Sequence, residues 1–257
     1  MPKPQVRRVQ EIDLNKLDFS EIAENSFGGK LVYIKYINDL GEKEDLYLQT
    51  PKMYNSWGVH ISQARDPASK VAIGDPRYYL QLSFGKDPKH STLTYHQLLH
   101  ALDEKILEKS KENSVAWLKL KASQGKVIEE MYRPQIQFSV DADLEPDHKY
   151  PDSVRYKIPF DNEKKEFYNT VEVYDEKGNY VSTKTLADMQ QYLTKGSKDI
   201  AVVHLSSIYF AGGNFGLSWK VVQIQTFPGA TVMKGFQIQN EDDETPNPHT
   251  QDGDDSA

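Results

Sequence analysis

The sequence predicts a mainly β fold of the α+β class, a barrel or sandwich of short strands interrupted by one helical insertion. Three observations carry this. Residues 198–227 read as two long strands folded back on each other, with apolar side chains recurring from Ile200 to Phe210 and again from Leu217 to Phe227. Gly212-Gly213-Asn214 lies between them and supplies the positive φ angles of a tight hairpin turn. Elsewhere, short runs rich in Val, Ile, Tyr and Phe are cut by Gly, Pro, Asn and Asp, and helical apolar spacing is confined to residues 94–131.

Taken in order, residues 1–44 are expected to be an N-terminal extension or added hairpin. Within them 13–25 reads as either a short helix or an irregular arm, and Lys30–Ile37 (KLVYIKYI) as a strand ending at the turn Asn38-Asp39-Leu40-Gly41. Residues 45–50 read as its hairpin partner, stopped by Pro51. Residues 51–59 read as turn-rich and 62–76 as a polar connection. In 77–84, Tyr78, Leu80, Leu82 and Phe84 share one face of a strand, and Arg77, Tyr79, Gln81 and Ser83 the other. Thr94 is a good N-cap for a helix to about 111, with Leu98, Leu102 and Ile106 at helical spacing. Residues 113–131 continue as helix, broken near Gly125. A strand returns at 132–140. Residues 141–166, rich in Pro, Asp and Lys, read as a long surface loop. Residues 167–174 and 180–183 read as a hairpin, and 186–192 as one or two helical turns.

Composition narrows the function. The chain has 257 residues, enough for one domain with large insertions or two small ones, and its 38% hydrophobic share allows a core. No apolar run reaches the ~18 residues of a membrane span, and no apolar signal-peptide core is visible. Cysteine is absent, which removes disulfides, thiolate nucleophiles and cysteine-held zinc, and fits an intracellular setting. The net charge of −7 is carried by one end. Glu241, Asp242, Asp243, Glu244, Asp252, Asp254 and Asp255 lie in a stretch without Lys or Arg, and residues 1–240 hold 31 acidic and 31 basic side chains. Residues 231–257 are therefore expected to be a disordered acidic tail on a neutral body.

No enzymatic motif stands out. Gly28-Gly29-Lys30 lacks the upstream glycine and the Ser/Thr of a phosphate-binding loop. The glycines of 211–216 precede a strand, whereas a dinucleotide fingerprint opens a helix. His96 and His100 lie i, i+4 on the expected helix but without a Glu-x-x-His frame, and read as exposed helix histidines. Asp141 and Asp143 read as solvated loop acids. No Gly-x-Ser-x-Gly elbow occurs. No catalytic residue, metal ligand or cofactor is predicted.

Cations interleaved with aromatics say more. Proteins that hold single-stranded nucleic acid combine cations for the phosphates with aromatic faces for the bases, each stack contributing about 1–3 kcal/mol. Such groupings occur at Lys52, Tyr54 and Trp57, at Arg77-Tyr78-Tyr79, at Tyr132-Arg133, between Lys198 and Tyr209, and from Phe215 through Trp219 to Lys220. Aromatics are also ordinary strand residues, so core packing stays open beside nucleic-acid binding. A polyanionic tail favours the latter, because it resembles a single strand in charge and is able to occupy an empty basic groove.

Several short blocks then occur in a telling order: Tyr78-Tyr79-Leu80-Gln81-Leu82-Ser83-Phe84, a helical insertion, the strand at 133–138, Val173-Tyr174-Asp175-Glu176-Lys177-Gly178, Lys195-Gly196-Ser197-Lys198, the last hairpin and the acidic tail. In this layout, over about residues 45–257, the chain resembles the replicative single-stranded DNA-binding proteins of the phage T-seven type, which have relatives in large eukaryotic DNA viruses. The resemblance implies an OB-type β-barrel over 45–230 with a helical insertion at 94–131, no catalytic activity, and often a homodimer. It implies a coat for single-stranded DNA in replication, recombination or repair, with the acidic tail contacting replication proteins such as DNA polymerase and helicase. The phage members end in an aromatic residue, and Asp254-Asp255-Ser256-Ala257 departs from that pattern. On this reading Tyr209, Phe215 and Trp219 face bases, helped by Tyr54 and Trp57, while Lys52, Arg77, Arg133, Lys198 and Lys220 meet phosphates. The expected location is the host nucleus or a cytoplasmic viral replication site. The alternative is a non-enzymatic virion or scaffold protein whose barrel binds another protein.

Overall fold

The computed structural model describes residues 5–25, 28–143 and 145–229. The expected acidic tail, with all seven of its acids, lies outside the described residues.

Leu17–Glu24 (β1) and Lys30–Ile37 (β2) pair antiparallel, so the stretch read as helix or arm contributes a strand. A register shift between Phe19 and Ile22 breaks the two-residue period that would have announced it. β2 is the strand the sequence predicts, but its hairpin partner is only Lys43–Glu44. Leu46–Gln49 (β3) leaves β2 and pairs elsewhere.

Met53–Arg65 (β4) and Ala72–Ser83 (β5) form a long hairpin. This corrects two expectations: 51–59 is not turn-rich and 62–76 is not a connection. The register slips between Asn55 and Val59 and again between Ser62 and Ala64, and the outer half of the hairpin is exposed. The inner half does bury Met53, Asn55 and Val59, but the slip after Asn55 breaks their alternation, and the outer half has no buried face to read. The inner half of β5 buries Tyr78, Leu80, Leu82 and the following Phe84, as the sequence predicts.

His90–Glu112 (α1) starts one turn before Thr94, whose hydroxyl donates to the His90 carbonyl (2.9 Å) and so acts inside the helix. Its buried side includes Tyr95, Leu99, Leu102 and Ile106, each contributing roughly 1.5–3 kcal/mol by leaving water. Ser114–Leu118 (α2) and Gly125–Met131 (α3) follow. The break falls at Lys119, in the left-handed region at φ 61°, and Gly125 opens α3. Tyr132–Arg133 and Ile136–Gln137 make two short pairings on either side of Pro134.

The stretch 141–166, expected to be a loop, contains Ser153–Ile158 (β6), a strand paired with β5 along its whole length. Val154, Tyr156 and Ile158 are buried and alternate with outward Arg155 and Lys157. Glu172–Tyr174 (β7) pairs with Tyr180–Val181 as expected, and Leu186–Tyr192 (α4) opens with a Thr185–Asp188 capping box. Lys198–Ala211 (β8) and Asn214–Phe227 (β9) are the predicted hairpin, with Gly212 and Gly213 at φ 56° and 76°.

The pairings run in a circuit: β4 to β5, β5 to β6, β6 to β9, β9 to β8, and β8 back to β4. All are antiparallel except β6 with β9, which meet in parallel at Lys157 and Lys220. The outer edge of β8 is shared in succession by β4, β3 and β2. The circuit closes through only two residue pairs, Lys198 with Tyr54 and Asp199 with Met53. Asp199 reinforces this seam: its fully buried carboxylate accepts from Asn55 on β4 (2.8 Å), Thr226 on β9 (2.8 Å) and Ser197 (3.0 Å). Burial raises its pKa above the usual carboxylate value despite those three donors.

Candidate nucleic-acid interface

Alternation on β5 and β6 turns every second side chain outward. On β5 these are Arg77, Tyr79 and Gln81; on β6 they are Arg155 and Lys157, paired with Gln81 and Tyr79 respectively. All of these but Gln81 line a groove of about 620 Å³, together with Arg133, Gln137, Tyr209 and Ser218. Among the described residues four cations line it and no carboxylate does. Among the described residues none of the four makes an ion pair within 4.0 Å.

Like charges gathered without counterions weaken one another. The Lys157 ammonium is held below the ordinary lysine value by burial and by Arg77 and Lys220 nearby. Burial also lowers the Arg155 pKa. Its guanidinium lies 5.4 Å from the centre of the Tyr79 ring and donates to the Gln81 side chain at 3.2 Å, while its Nε finds no acceptor among the described residues. An incoming anion would relieve this arrangement, and carboxylate and phosphate oxygens are the acceptors an Arg fork matches.

The groove floor is held from the helical insertion. Asp103 of α1 accepts from the Tyr132 hydroxyl (2.6 Å) and from the Gln135 side chain (2.8 Å) and main chain (3.2 Å). Gln135 in turn accepts the indole N–H of Trp219. Burial raises the Asp103 carboxyl above its usual value.

Tyr209 stands on the groove wall, 37% exposed, where burial raises its hydroxyl pKa. It lies against Gly216 on β9: a Cβ there would come within 3.0 Å of the Tyr209 hydroxyl oxygen and 3.1 Å of the Arg133 carbonyl. The absence of a side chain at 216 is what lets the ring settle.

A second cluster flanks the seam of the circuit. Tyr54 and Trp57 on β4 are 50% and 58% exposed, with the Lys198 ammonium 4.8 Å from the Tyr54 ring and the Lys195 ammonium 5.9 Å from the Trp57 ring. Trp57 is thrust outward by a local bulge. Gly58 adopts φ 69°, and a Cβ there would meet the Leu193 carbonyl at 2.8 Å. The Asn55 side chain accepts from Gly58 N–H (2.8 Å) and Trp57 N–H (3.3 Å) while donating to Asp199. Rings connect the two clusters: Trp57 to His60 at 6.2 Å and His60 to Tyr79 at 6.3 Å between centroids.

The predicted site residues therefore divide. Arg77, Arg133 and Tyr209 share the groove; Tyr54, Trp57 and Lys198 form the second cluster; Lys220 is exposed beside Lys157. Lys52 lies over the Phe227 ring, at the end of the last hairpin. Two expectations are corrected. Phe215 is fully buried, packed on Tyr132 and Phe210, and Trp219 is only 5% exposed, packed on Tyr156. Phe215 offers no face to a base, and Trp219 borders the groove as a nearly buried ring whose indole N–H is taken by Gln135. Sequence reading missed Arg155, Lys157, His60 and Lys195, and passed over Tyr79.

The histidines of the insertion behave differently. His96 pairs with Asp152 at 3.1 Å and packs edge-on against His100 at 4.7 Å. Among the described residues no three His, Asp or Glu side chains are grouped to hold a metal ion.

No family model and no curated protein matches the chain. Among solved structures it is similar to the single-stranded DNA-binding protein from bacteriophage Enc34 in complex with ssDNA, at 13% identity over 81% of this chain and 94% of that one, with a TM-score of 0.37. It is also similar to gp2.5, a single-stranded DNA binding protein encoded by bacteriophage T7, at 14% identity over 82% and 100%, with a TM-score of 0.39. These are proteins of the kind the sequence resembles.

Proposed function

We propose that this chain is a non-enzymatic single-stranded DNA-binding protein that coats exposed strands in viral DNA replication, recombination or repair. One observation carries the reading: Arg77, Arg133, Arg155 and Lys157 line a single groove with Tyr79 and Tyr209, and among the described residues no carboxylate lines it with them. The cations suit a polyphosphate chain, and the exposed rings suit bases that are not already stacked in a duplex. The strand circuit supports an OB-type barrel around this groove: five strands closed on themselves, with one parallel pair and the insertion entering after the second strand.

In the same reading the acidic tail, from Glu241 to Asp255, competes with DNA for the groove and is offered to replication partners such as a polymerase or helicase once displaced. The protein acts inside the cell, in the host nucleus or a cytoplasmic replication site, and a homodimer is compatible with the free outer edge of β1.

A competition assay tests the reading. Fluorescently labelled oligo-dT is bound at low salt and challenged with unlabelled single-stranded DNA, the same sequence as a duplex, and oligo-rU. The expected result is a complex displaced by single-stranded DNA at far lower concentration than by duplex or RNA. Equal displacement by duplex, or no complex with the folded protein, would overturn it.

A further inference from the structure

Strand register places six outward side chains in one row around the circuit. His60 on β4 pairs with Tyr79 on β5, Tyr79 with Lys157 on β6, Lys157 with Lys220 on β9, Lys220 with His204 on β8, and His204 with Tyr47 on β3. Residues on either side of each member are mostly buried: Val59, Tyr78 and Leu80, Tyr156 and Ile158, Trp219 and Val221, Val203 and Leu205, Leu46 and Leu48. The six thus share the outer face, and at about 4.8 Å per strand the row spans an arc of roughly 24 Å.

The first half of the row belongs to the groove and its aromatic link. The second half has no assigned role. It begins at exposed Lys220 and ends where Tyr47 and His204 stack on each other, with centroids 4.9 Å apart and planes inclined by 25°. The acid at this end is Asp45; its charge is engaged by Lys35 (2.8 Å), and the His204 Nε2 lies 3.4 Å from the same carboxylate. What remains is a cation followed by a two-ring step, the combination that holds a phosphate and the next base.

We propose that the single-stranded DNA track continues out of the groove across Lys220 to a second stacking subsite on Tyr47 and His204, so that a long strand runs across β5, β6, β9, β8 and β3 along this row. The inference rests on the DNA-binding reading above and adds the subsite and the direction of the path. A short oligonucleotide fills the groove alone, and a longer one gains affinity by reaching the Tyr47 step.

The test compares oligo-dT near the two ends of the ~4–16 nucleotide range occupied by one barrel of this kind. In the wild type the longer strand should bind more tightly. Tyr47→Ala should remove roughly tenfold of that gain and leave the short-strand affinity as it was, and Tyr47→Phe should restore it. Arg155→Ala should weaken both lengths. A crosslinking arm needs no variant: 5-iodouracil placed along the longer strand should attach to Tyr47 or His204. Crosslinks confined to Tyr79, Tyr209 and Trp57, or a Tyr47→Ala protein that binds the longer strand like the wild type, would overturn the subsite while leaving the groove reading intact. Failure of the wild type to bind either length would overturn both.

Discussion

Tyr209 rests on Gly216, across the β8–β9 pairing, so closely that a Cβ at 216 would lie 3.0 Å from its hydroxyl oxygen and a larger side chain would crowd the ring. The groove wall therefore depends on a residue that does not itself line the groove. Gly216→Val should push the Tyr209 ring off the wall and weaken oligo-dT binding by about 1–3 kcal/mol, close to the effect of Tyr209→Ala. Fluorescence anisotropy of the two variants and their double mutant checks this. Additive losses would mean that Gly216 acts through something other than Tyr209.

The three tryptophans occupy different surroundings: Trp57 is exposed, whereas Trp117 and Trp219 are buried. Stacked bases should quench only the first. Addition of oligo-dT should lower intrinsic tryptophan emission, and Trp57→Phe should abolish that change. Persistent quenching in Trp57→Phe would place the bases elsewhere.

The Asp199 carboxylate gathers three donors at the seam, so Asp199→Ala leaves Asn55, Ser197 and Thr226 without their acceptor. Urea unfolding should show a loss of about 2–4 kcal/mol. Its folded pKa is raised by burial, so its contribution is fully present below the ordinary carboxylate value and is lost as pH rises through the raised one. The gap between wild type and variant should accordingly narrow from acidic to neutral pH. A gap that widens would contradict this placement of the charge.

His60 sits between Trp57 and Tyr79, and burial, then Arg155, lowers its pKa below the usual imidazole value. It contributes stability above about 6.5 that is lost as pH falls through the lowered value. A phosphate chain alongside reverses the shift, so binding takes up a proton. Oligo-dT affinity should rise between about pH 7 and pH 5.5 at constant ionic strength, and His60→Gln should flatten the rise. An identical pH profile in the variant would remove His60 from the track.

Much of the fold was legible because alternation and turn chemistry agree in the last hairpin, in Lys30–Ile37 and in the inner half of β5. Legibility failed where the ladder is irregular: the slip at Phe19–Ile22 hid β1, and the Asn55–Gly58 bulge made β4 look like a turn. β6 was hidden by its flanks, since Asp, Lys and Pro on both sides suggested a loop although Val154, Tyr156 and Ile158 alternate with Arg155 and Lys157. That one misreading removed half of the groove's cations. The error at Trp219 was avoidable from sequence, because Trp219 and Lys220 are consecutive in a strand and cannot share a face. Which cations lack carboxylate partners is set by register between distant strands, and no local pattern contains it.

The salt dependence of oligo-dT binding tests the central claim most directly. Log K should fall linearly with log salt, and removing each of Arg77, Arg133, Arg155 and Lys157 in turn should reduce the magnitude of the slope by about 0.7. A slope that stays unchanged when all four are replaced, in a protein that still folds, would contradict the account.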